Sequence, residues 1–201
     1  MKPSAWLIGG LAGLAVVGYL GRYQVTSALV SQQDALANHN VQAFLAMLRG
    51  PFEGGGRYDT LYHPSHNDPL YDPSAPLYFD GYDSHPDIKI YFTNPKTGQA
   101  DYTTAAGAYQ ILYRTWKGLT LLPGAPQDFS PASQDWFAVA LLKAAGALAP
   151  LMAGDLDSAL RKASPVWASL PYTDSGQVHG SYATAKRVYL AGGGTIAGAI
   201  A

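Results

Sequence analysis

The chain has no cysteine among its 201 residues. That excludes thiol-based catalysis, a zinc–thiolate site and any disulfide-regulated switch, although it assigns no compartment. Charge is scarce as well: Asp, Glu, Lys and Arg make up 13% of the residues, about half the share usual in globular proteins. With a formal net charge of -1, the chain lacks the basic footprint of a nucleic-acid binder. Long apolar runs are nearly absent too. One uncharged stretch, Pro3 to Gly21, approaches the roughly 20 residues that span a bilayer, and glycine and alanine dilute it.

What remains is apolar and aromatic. Hydrophobic residues reach 48%, enough for a proper core and against disorder. Tyrosine is abundant at 14, with 4 tryptophans, so flat amphipathic rings are available for sugar or peptide surfaces.

Three regions are expected. Residues 1–22 form an apolar N-terminal helix, flanked by Lys2 and Arg22 and carrying Leu7, Ile8, Leu11, Leu14 and Val17 between glycines. A cleaved signal peptide, an uncleaved anchor and a buried soluble helix compete for it. The Ala35-Leu36-Ala37 site lies far downstream of the apolar core, which favours an uncleaved segment placed in a membrane over residues 5–21. Residues 23–40 read as a helical connector, and 41–201 as the globular domain.

Within that domain, Val41, Phe44, Leu45 and Leu48 have helical spacing and run into a Gly50-Pro51 break. Phe52, Glu53 and three glycines follow. The glycines leave the acid's far side open to a large ligand. Beside Phe52 the carboxyl group is expected to be partly desolvated, which favours its protonated form and suits it to deliver a proton near neutral pH.

Residues 58–78 contain Pro64, Pro69, Pro73 and Pro76 and read as a long irregular loop, a lid or cleft wall. Its His63, His66, Asp68 and Asp72 fit no zinc spacing, so no metal and no cofactor are expected. Leu77-Tyr78-Phe79 predicts a short strand. Ile88, Ile90 and Phe92 alternate with polar residues as a half-buried strand does, and a turn over residues 94–98 returns the chain through Asp101-Tyr102-Thr103. Helices are predicted over 105–119, 131–148 (opened by Ser130-Pro131), 155–163 (opened by Asp155) and 181–190. The class is α+β, mainly helical with a small antiparallel sheet.

Read together, several segments resemble lambda-type phage endolysins. Phe44-Leu45-Ala46-Met47-Leu48 followed by Glu53-Gly54 is similar to the family's first helix and catalytic Glu-Gly. Phe79 to Pro86, Gly107-Ala108-Tyr109-Gln110, Phe129 to Asp135, Trp167-Ala168-Ser169-Leu170-Pro171, Gly176-Gln177 and Ala191 to Thr195 follow in the family's order. The resemblance implies a lysozyme-like fold with its sheet lining a cleft. It implies a monomeric peptidoglycan lytic transglycosylase that acts on glycan strands and needs no cofactor. By the same resemblance Glu53 is the catalytic residue, and Tyr109, Gln110, Asp83 and His85 contact substrate. Two departures stand out. Gly50-Pro51-Phe52 replaces the family's Trp-Ser before the acid, with one extra residue, removing a hydroxyl near it; Ala108 stands where a basic residue is usual. The resemblance further implies that the glycine-rich N-terminus is a signal-arrest-release segment, holding the enzyme on the inner membrane facing the periplasm and later releasing it there. Two alternatives stay open: a hydrolase pairing Glu53 with Asp59, Asp80 or Asp83, and an inactive membrane-tethered wall-binding protein.

Overall fold

A computed structural model describes residues 31–176 and 179–198. The apolar helix expected over residues 1–22 lies outside them, as does the first part of the connector, residues 23–30. Among the described residues, no helix is long and apolar enough to cross a membrane.

The described part begins with α1 (Gln32–Ala37), capped by the Ser31 hydroxyl, which accepts from Asp34 N–H at 3.0 Å. Asn38 then adopts extended angles, and its side chain caps α2 (His39–Met47) by accepting from Asn40 N–H at 3.0 Å. A continuous connector helix is therefore broken at Asn38, because an Asn that bonds the next turn's donors competes with helical continuation. The core starts earlier than expected: Ala35, ahead of Val41, is fully buried, and Gln32 Nε2 donates to the Trp136 carbonyl at 2.7 Å.

After α2 the long loop is tied at its base. Leu61 N–H donates to Leu77 O at 2.8 Å and Phe79 N–H to Asp59 O at 2.9 Å. Leu77 to Phe79 makes one bridge, Thr60 with Tyr78, instead of the expected strand. Pro73 and Pro76 remove the donors and angles a longer ladder needs. Farther out, Asp68 accepts from Thr93 N–H at 2.9 Å and Thr93 Oγ1 at 2.7 Å, fastening the loop to the hairpin. That hairpin pairs β1 (Ile90–Thr93) with β2 (Ala100–Thr103), antiparallel, with Ile90 opposite Thr103 and Thr93 opposite Ala100.

The helix expected from Ala105 begins later. Ala106 bridges Ile111 around a tight turn, and α3 covers Tyr113–Leu119. Gly107 sits at φ 78 and Gln110 at φ 47, both outside helical space. Then α4 (Pro131–Ala144) starts where Ser130 and Pro131 indicated, with Ser130 Oγ accepting from Ser133 N–H at 3.3 Å. It stops short of Leu148 at Gly146, which takes φ 71, and α5 (Leu148–Met152) follows. Asp155 caps α6 (Leu156–Ala163), and Ser181 caps α7 (Tyr182–Ala191).

The core is helical. Phe44 and Met47 from α2, Leu48 just after it, Phe137 and Leu142 from α4, Leu151 from α5 and Tyr189 from α7 are buried together. Buried Asn40 ties the C-terminal segment to α2, accepting from Thr195 N–H at 2.7 Å. One face of this bundle thus fixes the end of α2, where the glycine-bounded acid sits.

Candidate active site

Past Met47 the helix widens over Leu48–Phe52. Pro51 has no N–H to give, Gly50 departs to φ -76, ψ -105, and Glu53 N–H donates to Leu48 O, five residues back, at 2.8 Å. Such a turn holds one residue more than an α-helical turn, and wide turns of this kind recur at functional sites. It absorbs the extra residue of Gly50-Pro51-Phe52 without moving the acid off the end of the helix. Gly56 N–H closes the loop onto Arg49 O at 2.8 Å. Gly54 leaves no room for a side chain: a Cβ there would lie 2.6 Å from Ala108 O and 2.7 Å from Ala108 Cα. The backbone beside the acid is pressed directly against the Gly107–Gln110 turn.

Glu53 keeps some solvent exposure, but its carboxyl group lies deep among protein atoms. Burial raises its pKa to about 7, offset in part by the Ser169 hydroxyl and the Ser169 backbone N–H, which both favour the ionised form. Among the described residues no charged side chain is paired with it. The Ser169 hydroxyl donates to Glu53 Oε1. Ser169 is held in turn, its carbonyl accepting from Gly180 N–H at 2.8 Å. Phe52 packs its ring onto Gly180, where a Cβ would fall 2.2 Å from the ring edge. Phe52, Ser169 and Gly180 form one wall around the acid.

This corrects the reading that a hydroxyl near the acid is missing. One is present, delivered from the far end of the chain. Its signal was in the sequence: Ser169 is the polar member of Trp167-Ala168-Ser169-Leu170-Pro171, between buried Trp167 and Leu170. A hydroxyl set between two anchored apolar side chains is fixed in direction.

Tyr109 is not at a helix start. Its side chain is 1% exposed, and its hydroxyl donates to Asp135. Tyr58 donates to the same Asp135 oxygen at 2.9 Å, and Arg49 donates to the Tyr58 hydroxyl. Burial, then the Asp135 charge, pushes the Tyr109 phenol far above its ordinary range, so it stays protonated. Trp167 is core too; its Nε1 donates to the Tyr109 carbonyl at 3.0 Å. Tyr109 acts as a strut behind the acid loop, with its ring and hydroxyl occupied by protein. Gln110 is half-buried, and its Nε2 donates to Gly107 O at 3.0 Å.

His85 is not available to a ligand. It is 3% exposed, its Nδ1 accepts from Asp87 N–H at 3.1 Å and its Nε2 donates to Ile111 O at 2.7 Å. Packing against Phe129, Trp116 and Tyr113 lowers its pKa to about 4, so the ring is neutral. The His85-Pro86 turn drives the ring inward to an aromatic cluster, which outweighs any surface role. Asp83 and Asp80 are exposed. Asp59 accepts from Arg57 Nε at 2.8 Å, and that contact holds its carboxyl below the usual range. His63 and His66 lie on Tyr71, and Asp68 and Asp72 bond the backbone of their own loop or β1. Among the described residues no group of three or more acidic or histidine side chains is placed to hold a metal.

A helical body with a two-stranded hairpin and a lone, desolvated glutamate at the end of its first long helix is the lysozyme arrangement. The chain is similar to the lysozyme of bacteriophage lambda complexed with a chitohexasaccharide, at 31% identity and a TM-score of 0.62, covering 79% of this chain and 97% of that one. A second structure of lysozyme from bacteriophage lambda matches at 28% identity and a TM-score of 0.57 over 79% of this chain and 97% of that one. The chain belongs to the endolysin family, whose model matches residues 42–196. Among its relatives, the endolysin of Escherichia phage P2 is 32% identical over 163 residues, 78% of this chain and 94% of that protein. The endolysin of Escherichia phage lambda is 36% identical over 118 residues, 59% of this chain and 71% of its own length.

Proposed function

We propose that this endolysin cleaves the β-1,4 bond between N-acetylmuramic acid and N-acetylglucosamine in peptidoglycan as a lytic transglycosylase, with Glu53 in both proton-transfer roles. The observation that carries the reading is the Glu53 carboxyl group itself: a desolvated acid with a pKa of about 7, hydrogen-bonded by neutral Ser169 and paired with no charged side chain among the described residues. At neutral pH such a group holds its proton part of the time and is a competent acid when it does. It gives that proton to the glycosidic oxygen as the bond from the muramic C1 breaks. The resulting carboxylate then takes the proton of the sugar's own C6 hydroxyl as O6 closes on C1. The proton lost in the first step returns in the second, and the product carries a 1,6-anhydro end.

Hydrolysis needs a second carboxylate to activate water or attack the sugar. Asp59 is engaged by Arg57 and Asp80 and Asp83 are exposed, which supports the one-acid route. Mass spectrometry of digested peptidoglycan separates the two: anhydro ends are lighter by one water than the reducing ends of hydrolysis. Reducing ends alone would overturn the transglycosylase reading while leaving wall cleavage intact. An inactive wall-binding protein has no use for a carboxyl group desolvated at this cost.

The N-terminal segment completes the proposal. Residues 5–21 hold the chain in the inner membrane facing the periplasm until release, after which it works as a monomer. Glycine and alanine keep the gain from bilayer insertion small. Replacing Gly9, Gly10 and Gly13 by leucine is expected to delay host lysis; unchanged timing would remove the release model and leave the enzymatic one standing.

A further inference from the structure

Tyr78 is a large aromatic side chain left 49% exposed, yet both its backbone and its ring have defined partners. Its backbone bridges Thr60, and its neighbours on both sides are bonded, Leu77 O to Leu61 N–H at 2.8 Å and Phe79 N–H to Asp59 O at 2.9 Å. The ring is fixed as well. The Arg57 guanidinium lies over it, 4.3 Å from the centroid. Arg57 does not swing freely, because Asp59 grips it through both Nε and Nη2. One face of Tyr78 is thus propped by a cation whose charge is already answered, while the residue as a whole stays 49% exposed.

Nothing in folding requires this. An exposed tyrosine contributes little to the core, and a mobile one would serve the loop equally well. A rigid, flat ring left half exposed is instead what a binding surface uses, because the entropy of ordering it is spent before the ligand arrives. The residues that support the ring are tied to the acid loop. Arg57 is four residues past Glu53, which limits their Cα separation to about 14 Å. Thr60, the bridge partner of Tyr78, donates its hydroxyl to Gly54 O at 2.9 Å, directly beside Glu53.

We infer that Tyr78, propped by Arg57, is a sugar-stacking platform that receives a pyranose ring of the glycan strand one or more units away from the bond that Glu53 breaks. A β-1,4-linked N-acetylated amino sugar presents an apolar C–H face and a polar rim. A tyrosine offers the matching flat apolar surface with a hydroxyl at its edge. The site rests on the glycan-cleaving reading, and it deepens it by naming where the strand is gripped beyond the reacting unit.

The test is binding, in the full chain carrying Glu53→Gln so that no turnover intervenes, with chitohexaose titrated calorimetrically. Tyr78→Ala is expected to weaken binding about tenfold, the size of an aromatic stacking contact. Tyr78→Phe, which keeps the flat face, is expected to stay within about twofold of its parent. Arg57→Ala frees the ring without removing it and is expected to fall between the two. If Tyr78→Ala binds as its parent does, or if the parent binds no chitohexaose, the platform is overturned. Thermal melting of each variant shows whether a loss comes from unfolding, and Arg57→Ala keeps the question answerable if Tyr78→Ala does not fold. Cleavage of purified sacculi by the unmutated chain is read separately. Failure there overturns the enzymatic reading and leaves a tyrosine-dependent sugar contact unaffected.

Discussion

Ser169 donates its hydroxyl hydrogen to Oε1 of Glu53, although 116 residues separate the two in sequence. The contact favours the ionised carboxylate, so it opposes the burial that raises the acid. Both effects act on one proton. Their balance sets the value near 7.

Removing the hydroxyl tips that balance. In Ser169→Ala the pKa of Glu53 is expected to rise above about 7, because the group that favoured its ionised form is gone. In the proposed mechanism catalysis begins with protonated Glu53, so activity is expected to fall as pH rises through that pKa. The alkaline limb of the pH–rate profile is therefore expected to move to higher pH, with a severalfold loss of rate from poorer aim of the acid. A profile whose alkaline limb stays in place would show that Ser169 does not tune Glu53.

Glu53 also links activity to stability. Its folded pKa of about 7 lies above the ordinary 4.5, so between those values the folded chain holds a proton that the unfolded chain has released. Stability is complete below about pH 4.5 and falls as pH rises through about 7, by at most about 3.5 kcal/mol. Glu53→Gln has no proton to lose. It is expected to flatten this part of the stability curve, to be the more stable form at pH 8, and to lose wall-cleaving activity by about 10²–10⁴-fold or more. Denaturant unfolding at two pH values and a turbidity assay on permeabilised cells measure both effects.

Local chemistry was legible where a residue acts on its neighbours. Ser130-Pro131, Asp155 and Ser181 announced their helices because a cap bonds donors two or three residues away. The Ile90–Phe92 alternation announced β1, since a strand half buried on one side shows its period directly. Glu53 stood out between Phe52 and the glycines, and the family resemblance gave it a role. What stayed hidden depends on partners distant in sequence. The turn at Gly107–Gln110 reads as helix until Gln134 is seen accepting from Ala108 N–H at 2.8 Å, twenty-six residues on. His85 reads as a ligand contact until Phe129 and Trp116 close over it. Ser169 reads as one polar residue in a motif until the fold carries it to the acid.

Gln134 is therefore a second place to intervene. It is fully buried, and its side chain accepts from Ala108 N–H and donates to Tyr58 O at 2.9 Å and Phe129 O at 2.8 Å. Three segments meet on one amide. Gln134→Leu strands all three backbone groups away from water and is expected to cost about 2–4 kcal/mol. The turn that backs Gly54 loosens with it, so activity is expected to drop at temperatures where the variant is still folded. A melting temperature within a degree or two of the parent's would refute this account of the amide.

The sharpest test of how the acid is placed is its neighbour. A methyl group at Gly54 would meet the Ala108 carbonyl oxygen at 2.6 Å and Ala108 Cα at 2.7 Å, and both are backbone atoms that cannot rotate aside. Either the acid loop or the Gly107–Gln110 turn must move. The turn is pinned by Gln134, and Trp167 donates to the Tyr109 carbonyl, so the loop is the softer side. Gly54→Ala is expected to cost about 1–3 kcal/mol and, more tellingly, to reduce activity far beyond what the remaining folded fraction explains. Gly56→Ala is the control. It meets nothing within 4 Å but sits at φ +88, so it pays strain of about 1–2 kcal/mol without pressing on the turn. If both variants lose activity only in proportion to stability, the contact between Gly54 and Ala108 does not aim Glu53. If Gly54→Ala alone loses activity while folded, the acid is held in place by backbone packed on backbone, which explains why the residue after it has no side chain.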